Sequence, residues 1–554
     1  MYLFFQKHHR SLFYTTWLLL TIMQASSTEL IADEAYYWVY SKFLSWGYFD
    51  HPPMVALLIK GGYAVFKSEL GVRLVCVLLN VFTLIITESL ISKKNPFLFY
   101  TIARGIAALQ VTGFLAVPDT PLLFFTAVFF YCYRLYIKNI NWRNALLLSL
   151  SIVLLFYTKY HGLLIVFFAF LSNIKLLLRR QTWLVAFFVL LFFAPHLLWQ
   201  WEHDWVSFRY HLFESNVSAY KLSYTTDYIA GQLLITGPLA GLILLPAAIL
   251  YHTKNETERA LRFTLIGFFV FFLLSSFRGK VEANWTMPVL IPLIVLSHQF
   301  LMNKISWIKW LRILAFVSLL LIMAGRIYLA ADIGPDNTIK NRFHHNREWA
   351  KTIAEKTGNK PVVFYNSYQR ASLFWFYTGK QSHSHNAYWE RKNNYNFWPI
   401  EDQLLGTPVY IAGLDKNTLA SDSVQIAKEW LGLKFDSSYS ALGRINIFPE
   451  KINISAGKLN ISLAPEISRS YFSFLYSNKD LKTELVVGIF KGKELVKEIN
   501  TGITAQQLAS ALVPVSILSG VSGLAQGKYD CRLGLRVKDY PVTHNSKKFA
   551  LVIP

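Results

Sequence analysis

Apolar segments of about twenty residues recur throughout the first 330 residues of this chain. A helix needs about 20 apolar residues to cross the hydrocarbon core of a bilayer. Such segments fall near residues 11–30, 70–92, 97–117, 121–138, 143–162, 163–178, 182–200, 227–251, 260–277, 285–302 and 308–329. We expect the first to be a membrane helix and not a cleaved signal, because no convincing small-residue cleavage pattern follows it. The pattern predicts a polytopic α-helical membrane protein with about eleven transmembrane helices.

The composition excludes two other classes of protein. Of the 554 residues, 53% are hydrophobic and only 16% are charged, which is too apolar for a soluble enzyme of this length. The formal net charge of +22 would suit nucleic acid, but the basic residues are scattered in short loops between apolar segments, which indicates topology and not a binding groove. We therefore expect no nucleic-acid partner. The three cysteines show neither a disulfide framework nor a metal-ligand spacing.

Lysine and arginine fall in every second loop, as the positive-inside rule requires for a cytoplasmic N-terminus. The basic loops contain Lys7, Lys93, Arg134, Arg179, Arg259 and Lys309. The alternation supports an odd number of spans. It places on the outer face the loops that contain Asp33, Asp119 and Lys159, the segments 201–226 and 278–284, and everything after about residue 330.

The composition changes near residue 331, and the remainder is predicted to be a soluble extracytoplasmic region with a net charge of +9. Helix-like and strand-like stretches alternate in its first half, which indicates a small α/β subdomain over 331–429. Short alternating strands separated by turn residues indicate a β-rich, sandwich-like subdomain over 430–554. The predicted elements are helices at 346–357 and 369–378 and strands at 361–365, 408–412, 459–463, 484–490 and 531–537. Residues 1–330 form the predicted transmembrane domain.

The first outer loop, residues 33–54, reads DEAYYWVYSKFLSWGYFDHPPM and mixes carboxylates with aromatic residues. Asp33 and Glu34 come where the chain leaves the bilayer, and a carboxylate near hydrocarbon is costly enough to indicate a function. We interpret the stretch as a catalytic loop.

The same loop is predicted to begin as a helix lying on the membrane. Tyr36, Tyr40 and Phe43 recur at helical spacing, and Trp38 and Trp46 add rings that favour the membrane interface. Gly47 is predicted to break this helix. The following Asp-His-Pro-Pro run predicts a rigid polar turn, because two prolines fix their own φ and push His51 out of the helical region.

Five motifs in this order resemble a known family. They are DEAYYW from Asp33, YFDHPPM from Tyr48, PDTPLLFF from Pro118, TKYHG from Thr158 and GKVEANW from Gly279. Together they look like bacterial members of glycosyltransferase family 39, the ArnT-like and protein-mannosyltransferase-like enzymes of the GT-C superfamily. The resemblance covers roughly residues 10–330 and does not extend over the C-terminal region.

The resemblance implies a multi-pass enzyme of the bacterial cytoplasmic (inner) membrane with a periplasmic C-terminal domain. Such an enzyme takes a sugar from a polyprenyl-phosphate donor and passes it, with inversion, to lipid A, another envelope glycan or a protein. The reaction needs a carboxylate to take the acceptor proton and cations or donors that stabilise the departing lipid phosphate. The sequence requires no cofactor, and no residue pattern supports a divalent cation.

The resemblance assigns the catalytic acids by position. Asp33 matches the base, Glu34 stands beside it as a second acid, and Asp119 matches an acid near the mouth of the active site. Each also has an ordinary structural explanation, because Asp is a preferred helix cap and acids favour the first turn of a helix. Pro121 close to Asp119 is likewise typical of a helix start.

The carrier phosphate is assigned to His51, Lys159, Arg278 and Lys280. Many ArnT-like enzymes have a basic residue three positions after the first acid and a lysine before the two prolines, where this chain has Tyr36 and His51. Arg278 and Lys280 violate the positive-inside preference, so they are the predicted replacements, although basic side chains at a helix end also snorkel to lipid headgroups. Supporting roles are assigned to Asp50, Tyr37, Glu282, Asn284, His161, His203 and Arg209. The histidines at 344, 345, 383 and 385 are not assigned to a metal.

Two alternatives to an active enzyme remain. A lipid or sugar transporter has many spans, but it is expected to show repeated halves or spans broken at corresponding positions, and the sequence shows neither. An inactive relative that acts as an envelope binding protein is the second alternative, and the acidic pair at Asp33 and Glu34 argues against it.

Overall fold

The computed structural model describes residues 2–214, 219–334, 339–414, 421–426, 429–455, 458–492, 494–510, 515–520 and 523–553. The predicted outer loop 201–226 therefore lies partly outside the described residues. The chain divides into two compact units, Met1–His344 and His345–Pro554. The boundary predicted at residue 330 is too early, because Phe343 packs with Ala25 and Phe114 in a core cluster of the first unit. The carbonyl of Phe343 also accepts a hydrogen bond of 3.2 Å from the Glu29 N–H.

The first unit is helical throughout. Its helices are α1 (Tyr2–Ser27), α2 (Ala32–Lys42), α3 (Met54–Val65), α4 (Glu69–Leu90), α5 (Pro96–Gly105), α6 (Ala107–Val111), α7 (Asp119–Lys138), α8 (Trp142–Phe156), α9 (Gly162–Leu171), α10 (Arg180–Glu202), α11 (Val206–Arg209), α12 (Leu222–Thr236), α13 (Gly241–Leu250), α14 (Glu256–Ser276), α15 (Leu290–Leu301) and α16 (Ile305–Ala331). Every predicted apolar segment contains a helix, which confirms the predicted class of polytopic helical membrane protein.

The number of spans differs from the prediction. Among the described residues, five single helices are long and apolar enough to cross a membrane, namely α4, α7, α10, α14 and α16. Two bent pairs, α5 with the segment up to Phe114 and α12 with α13, raise the number to seven if each pair is one span. The other predicted segments form shorter or more polar helices, such as α9 with ten residues. Eleven uninterrupted spans are therefore not observed among the described residues.

The two bends contact each other at glycine residues. The axes turn by 79° after Gly105 and by 95° between α12 and α13. Gly237 lies in the second bend at φ +119°, and a Cβ there would come within 2.3 Å of the Gly105 carbonyl oxygen. A Cβ on Gly105 would in turn come within 2.8 Å of Ala240. Both backbones approach this closely only because the two bends carry glycine at the contact.

The helix predicted to lie on the membrane surface is α2, and it is buried in the protein. It ends at Lys42, and every residue from Glu34 to Ser41 is buried. Trp38 is only 3% exposed, whereas Trp46, which follows the helix, is 57% exposed. The tyrosines at helical spacing pack against neighbouring aromatic side chains and do not face lipid. Helix α3 was not predicted at all.

The second unit combines helices with three sheets. Its elements are α17 (Asn346–Thr357), β1 (Val362–Tyr365), α18 (Tyr368–Thr378), β2 (Ser382–His385), α19 (Ile400–Leu404), β3 (Val409–Leu414), β4 (Asp422–Ile426), β5 (Glu429–Asp436), β6 (Asn446–Ser455), β7 (Lys458–Glu466), α20 (Arg469–Ser477), β8 (Thr483–Lys491), β9 (Glu494–Asn500), α21 (Ala505–Ser510), β10 (Val515–Gly520), β11 (Gly527–Val537) and β12 (Phe549–Ile553). A five-stranded sheet has the order β2-β1-β3-β5-β4, in which β1 is parallel to both neighbours and β5 is antiparallel to β3 and β4.

The predicted division of this unit at residue 429/430 is not supported. That cut would fall inside β5, which pairs with both β3 and β4. The predicted β-rich half forms two antiparallel sheets with the orders β10-β7-β6 and β12-β11-β8-β9. Tyr388 from the first half packs with Val486 and Phe490 of β8, so the two predicted subdomains share a core.

Candidate active site

A buried ion pair fixes the start of α2. The Arg73 guanidinium of α4 donates to both oxygens of Glu34, with Nη2 to Oε2 at 2.6 Å and Nε to Oε1 at 2.8 Å. Both side chains are fully buried. Glu34 also accepts from the backbone N–H groups of Ala116 at 2.8 Å and Ile31 at 3.2 Å. Both carboxylate oxygens of Glu34 are buried and hydrogen-bonded, so a sugar-acceptor substrate cannot reach them. The position of Glu34 therefore does not fit the predicted catalytic role.

Arg73 also binds the chain between α1 and α2. Its Nη1 donates to the carbonyls of Ala25 at 3.0 Å and Thr28 at 2.8 Å, and its Nη2 donates to the Glu29 carbonyl at 2.8 Å. A single guanidinium thus joins the end of α1, the start of α2 and, through Glu34, the segment that leads to Asp119. The sequence analysis missed Arg73.

Asp33 lies beside this ion pair in the first turn of α2. Its side chain is partly exposed, in contrast to the fully buried Glu34. A carboxylate in the first helical turn is stabilised in its charged form by the helix dipole. Of the predicted acidic pair, Asp33 is therefore the member that a substrate can approach.

Three residues from three different motifs form a second polar cluster. The Lys159 amine lies 2.7 Å from Oδ1 of Asp119, and the Asn284 amide donates to Oδ2 of the same carboxylate at 2.9 Å. The two charged side chains are only 7% and 6% exposed. Asp119 is the first residue of α7 and follows Ala116, the backbone partner of Glu34, by three residues. The cluster therefore lies at the same end of the helical unit as Asp33.

The turn before Asn284 carries the other predicted phosphate ligands. Arg278 and Lys280 are both exposed, and Lys280 forms an ion pair of 2.8 Å with Glu282. Its hydrogen bond to Glu282 raises the pKa of Lys280, so this amine stays protonated. Because Asn284 binds Asp119, the turn is attached to the cluster, although neither basic side chain is part of it.

The Asp-His-Pro-Pro turn packs against α2 and against the segment after α10. Asp50 accepts a hydrogen bond of 3.2 Å from the Tyr40 hydroxyl, and its backbone carbonyl lies 2.9 Å from the His211 ring. The ring of His51 contacts those of Tyr37 at 5.6 Å and His211 at 6.4 Å. The predicted loop residues are thus brought together by aromatic and polar contacts.

A buried hydrogen-bond network, which was not predicted from the sequence, joins α10 to residues 46 and 48 of the first outer loop. His196 of α10 contacts the Trp46 carbonyl at 2.7 Å and the Tyr160 hydroxyl at 3.2 Å. Gln200 donates to Tyr160 and to the Ser207 hydroxyl, and Ser207 donates to the Tyr48 carbonyl at 2.8 Å. A histidine and a glutamine four residues apart inside an apolar segment were the available signal, since polar residues in membrane helices usually face the bundle interior.

The remaining predicted residues have other surroundings. His161 stacks on Phe272 and contacts Trp285, and its Nδ1 has no hydrogen-bond partner among the described residues. His203 stacks on Trp199 at 4.1 Å, and its Nδ1 contacts the Trp199 carbonyl at 2.8 Å. Arg209 is exposed on the short helix α11. Neither His161 nor Arg209 has a hydrogen bond to the Asp119 cluster in the part of the chain that the structure describes.

Gly47 gives a first test of how tightly the loop is packed. A Cβ at this position would lie 2.3 Å from a ring carbon of Trp199, so glycine is needed here for a close approach and not to end a helix. We expect Gly47→Ala to destabilise the protein by about 1–3 kcal/mol, the usual cost of overpacking. Thermal unfolding of the detergent-solubilised full chain measures the change.

Gly61→Ala is the matched control for this change. Gly61 lies in α3, and no atom is within 4 Å of a Cβ placed there. Alanine is favoured over glycine inside a helix, so this variant should unfold at the wild-type temperature or above it. If both variants behave alike, the Trp199 contact does not constrain the loop.

Metal ligands are not grouped in this site. No group of three or more His, Cys, Asp or Glu side chains suited to a metal ion occurs within the described residues. Each oxygen of Glu34 accepts two hydrogen bonds, and each oxygen of Asp119 accepts one. The residues present therefore offer cations and hydrogen-bond donors to a phosphate, but no preformed cage for a cation.

Comparisons with known proteins agree with the motifs. A family model described as dolichyl-phosphate-mannose-protein mannosyltransferase matches residues 50–199. The lipid A galacturonosyltransferase RgtD of Rhizobium johnstonii is 24% identical over 320 residues. This match covers 54% of the chain and 66% of the relative, which is just under two thirds of its length.

Solved structures share the fold. ArnT from Cupriavidus metallidurans in the apo state matches with a TM-score of 0.56 and 14% identity, over 74% of this chain and 93% of that chain. The same protein bound to undecaprenyl phosphate matches with a TM-score of 0.53 and 14% identity, over 73% and 92% of the two chains. At this identity the likeness establishes a common fold. The family model and the relative RgtD support the resemblance stated from the motifs.

Proposed function

We propose that this chain, a relative of the ArnT-like glycosyltransferases of the GT-C superfamily, transfers a sugar from a polyprenyl-phosphate donor to a glycolipid acceptor. The observation that carries the proposal is the division of the acidic pair. Glu34 is locked by Arg73 and inaccessible, whereas Asp33 beside it is partly exposed in the first turn of α2. A general base requires this kind of accessible, positioned carboxylate.

The reaction that these residues would perform is a single displacement. Asp33 takes the proton of the acceptor hydroxyl as its oxygen bonds to the anomeric carbon. The bond from that carbon to the carrier phosphate breaks, and the phosphate leaves with the electron pair. Because the nucleophile enters opposite the leaving group, the anomeric configuration inverts.

Lys159 is the residue that we assign to the departing phosphate. Asp119 holds the amine at 2.7 Å, and Asn284 holds Asp119. An ammonium group has three donors, so the amine retains donors for a phosphate oxygen. We reassign Asp119 from a catalytic acid to a positioning residue, because its carboxylate is almost fully buried and is paired with Lys159. Arg278 and Lys280 stay proposed as outer contacts of the same phosphate.

Two observations support the proposed acceptor and the proposed orientation of the chain in the membrane. The relative RgtD is described as a lipid A galacturonosyltransferase, which favours a glycolipid over a protein acceptor. The alternation of basic loops favours a cytoplasmic N-terminus, so we propose that transfer occurs at the outer face of the bacterial cytoplasmic membrane and that the C-terminal unit is periplasmic.

A labelling experiment tests the function directly. Membranes from a host expressing the full chain are supplied with a panel of polyprenyl-phosphate-linked neutral, acidic and amino sugars, each radiolabelled. We expect label in the organic extract that contains glycolipids, and none in membranes without the chain. Label in the protein pellet would identify a protein acceptor instead. No transfer from any donor would favour an inactive binding protein or a transporter.

The Lys159 assignment makes a separate prediction. Lys159→Gln should lower kcat/KM for the donor by about 10²-fold, since a lost charge-assisted contact to a leaving phosphate is worth roughly 3 kcal/mol. Initial rates at varied donor concentration measure the loss. Lys175→Gln is the matched control, because Lys175 is exposed in a predicted cytoplasmic loop.

A double variant separates catalysis from folding. Lys159→Gln alone leaves the Asp119 carboxylate buried without its cation, which also destabilises the protein. Asp119→Asn/Lys159→Gln removes both charges and should restore stability without restoring transfer. Recovery of transfer by the double variant would mean that the pair is purely structural.

A further inference from the structure

Three lysines converge where α2 crosses α3. Lys42 lies in the last turn of α2, Lys60 lies in α3, and Lys67 follows α3. The Lys42 amine lies 4.4 Å from the ring centroid of Trp38 and 5.1 Å from that of Tyr63. The Lys67 amine lies 4.8 Å from the same Tyr63 ring. We call these five residues the lysine cluster.

Helical spacing builds the cluster from both sides. Trp38 and Lys42 are four residues apart and Lys60 and Tyr63 are three apart, so each pair shares one face of its helix. The rings of Trp38 and Tyr63 meet edge to face at 5.6 Å. Trp38 is 3% exposed, whereas all three lysines are exposed. The exposed amines of Lys42 and Lys67 therefore lie against a pair of packed aromatic rings.

The cluster has an unbalanced positive charge. None of the three amines forms an ion pair with a carboxylate in the part of the chain that the structure describes. One acid, Glu69, lies close enough to interact electrostatically with the Tyr63 hydroxyl. A single negative charge thus lies near three positive charges. Burial lowers the pKa of Lys42, and the neighbouring charges of Lys67 and Lys60 lower it further. Like charges held close together are costly, and an anionic ligand would relieve this cost.

The distance between Asp33 and the lysine cluster indicates that an anion bound by the cluster is not the phosphate of the sugar donor. Asp33 and Lys42 are nine residues apart on α2, which corresponds to about 14 Å at the rise of an α-helix. The carrier phosphate must lie against the anomeric carbon and hence close to the base. An anion at the lysine cluster is too far away for that role and belongs to the other substrate or to the surrounding lipid.

We propose that Lys42, Lys60 and Lys67 bind a phosphate group on the glycolipid acceptor. The inference rests on the proposed function and adds that the acceptor is a phosphorylated glycolipid. Because most residues of α2 are buried, the helix fixes the separation between the bound phosphate and Asp33. An acceptor would thus be recognised by the spacing between its phosphate and the hydroxyl that receives the sugar.

Binding by the purified full chain in nanodiscs tests this inference without requiring transfer. The probes are lipid A carrying two phosphates, the same lipid after phosphatase treatment, and phosphatidylglycerol. The test variant is Lys42→Gln/Lys60→Gln/Lys67→Gln, and the charge-matched control is Lys304→Gln/Lys309→Gln/Arg312→Gln at the start of α16. We expect the test variant to bind phosphorylated lipid A at least about tenfold more weakly and the control to bind as wild type does.

The other outcomes overturn the inference. Wild-type affinity of the test variant would show that the site is elsewhere. An equal loss for dephosphorylated lipid A would indicate a folding defect, and an equal loss for phosphatidylglycerol would indicate a general contact with anionic lipid. The Asp33→Asn variant should retain lipid A binding. The binding experiment therefore tests the lysine cluster even if Asp33 is not the catalytic base.

Discussion

Asp33→Asn is expected to lower the rate of sugar transfer by about 10²–10⁴-fold, the usual contribution of a positioned general base. The asparagine amide keeps the shape of the side chain and its place in the first turn of α2, but it cannot take a proton. The partly exposed position of Asp33 means that the substitution should change stability little. Initial rates with saturating donor and varied glycolipid acceptor measure the effect, and thermal unfolding verifies the fold.

Glu202→Gln is the matched control for the loss of a carboxylate. Glu202 is exposed at the end of α10, in the predicted outer loop, and its substitution should leave transfer unchanged. Wild-type rates in Asp33→Asn would remove Asp33 as the base. Equal losses in both variants would point to a change in surface charge and not to proton transfer.

Arg73→Met is expected to destabilise the protein by about 3–5 kcal/mol, the cost of removing one partner of a buried ion pair. The Glu34 carboxylate would stay buried without its cation. The carbonyls of Ala25, Thr28 and Glu29 would lose their donors as well. Thermal or denaturant unfolding of the solubilised chain measures the loss, and the folded fraction should also transfer sugar more slowly because Asp33 is no longer held in place.

The double variant Arg73→Met/Glu34→Gln provides the comparison. Glutamine can still accept from the Ala116 and Ile31 N–H groups, and no buried charge remains. We therefore expect the double variant to be more stable than Arg73→Met alone, which gives a favourable coupling energy between the two residues. An Arg73→Met protein that unfolds at the wild-type temperature would contradict the role assigned to the ion pair.

The sequence identified the members of the Asp119 cluster but not their contact. Asp119, Lys159 and Asn284 were each singled out from separate motifs on the predicted outer face. The two hydrogen bonds that join them cross 40 and 165 residues of chain. Periodicity and topology place such residues on one side of a membrane, whereas only the packing of α7 against its neighbours brings them within bonding distance.

Arg73 and the lysine cluster were missed for opposite reasons. Arg73 lies inside the predicted span 70–92, where a single cation among apolar residues was itself the signal of a buried partner. Lys42, Lys60 and Lys67 are unremarkable surface lysines until α3 is known, because α3 brings Lys60 and Tyr63 to the end of α2. Because α3 was not predicted, the lysine cluster could not be recognised from the sequence.

The broken helices show where local patterns stop being informative. The bends after Gly105 and near Gly237 contact each other, although the two glycines lie in different predicted segments. The predicted strands in the C-terminal unit overlap β1, β3, β7, β8 and β11, because short apolar runs between turn residues are local signals. The pairing of β5 with β3 and β4 is not local, and the predicted boundary at 429/430 was wrong for that reason.

The many bonds of Arg73 have a consequence for anyone who builds chimaeras. To exchange donor or acceptor preference between relatives, the natural choice is to transplant the loop between α1 and α3 as one continuous piece. Here that loop takes its shape from a side chain of α4 that lies outside it. A transplanted loop will keep its geometry only if the recipient supplies an arginine at the position of Arg73, so the exchangeable module is discontinuous in sequence.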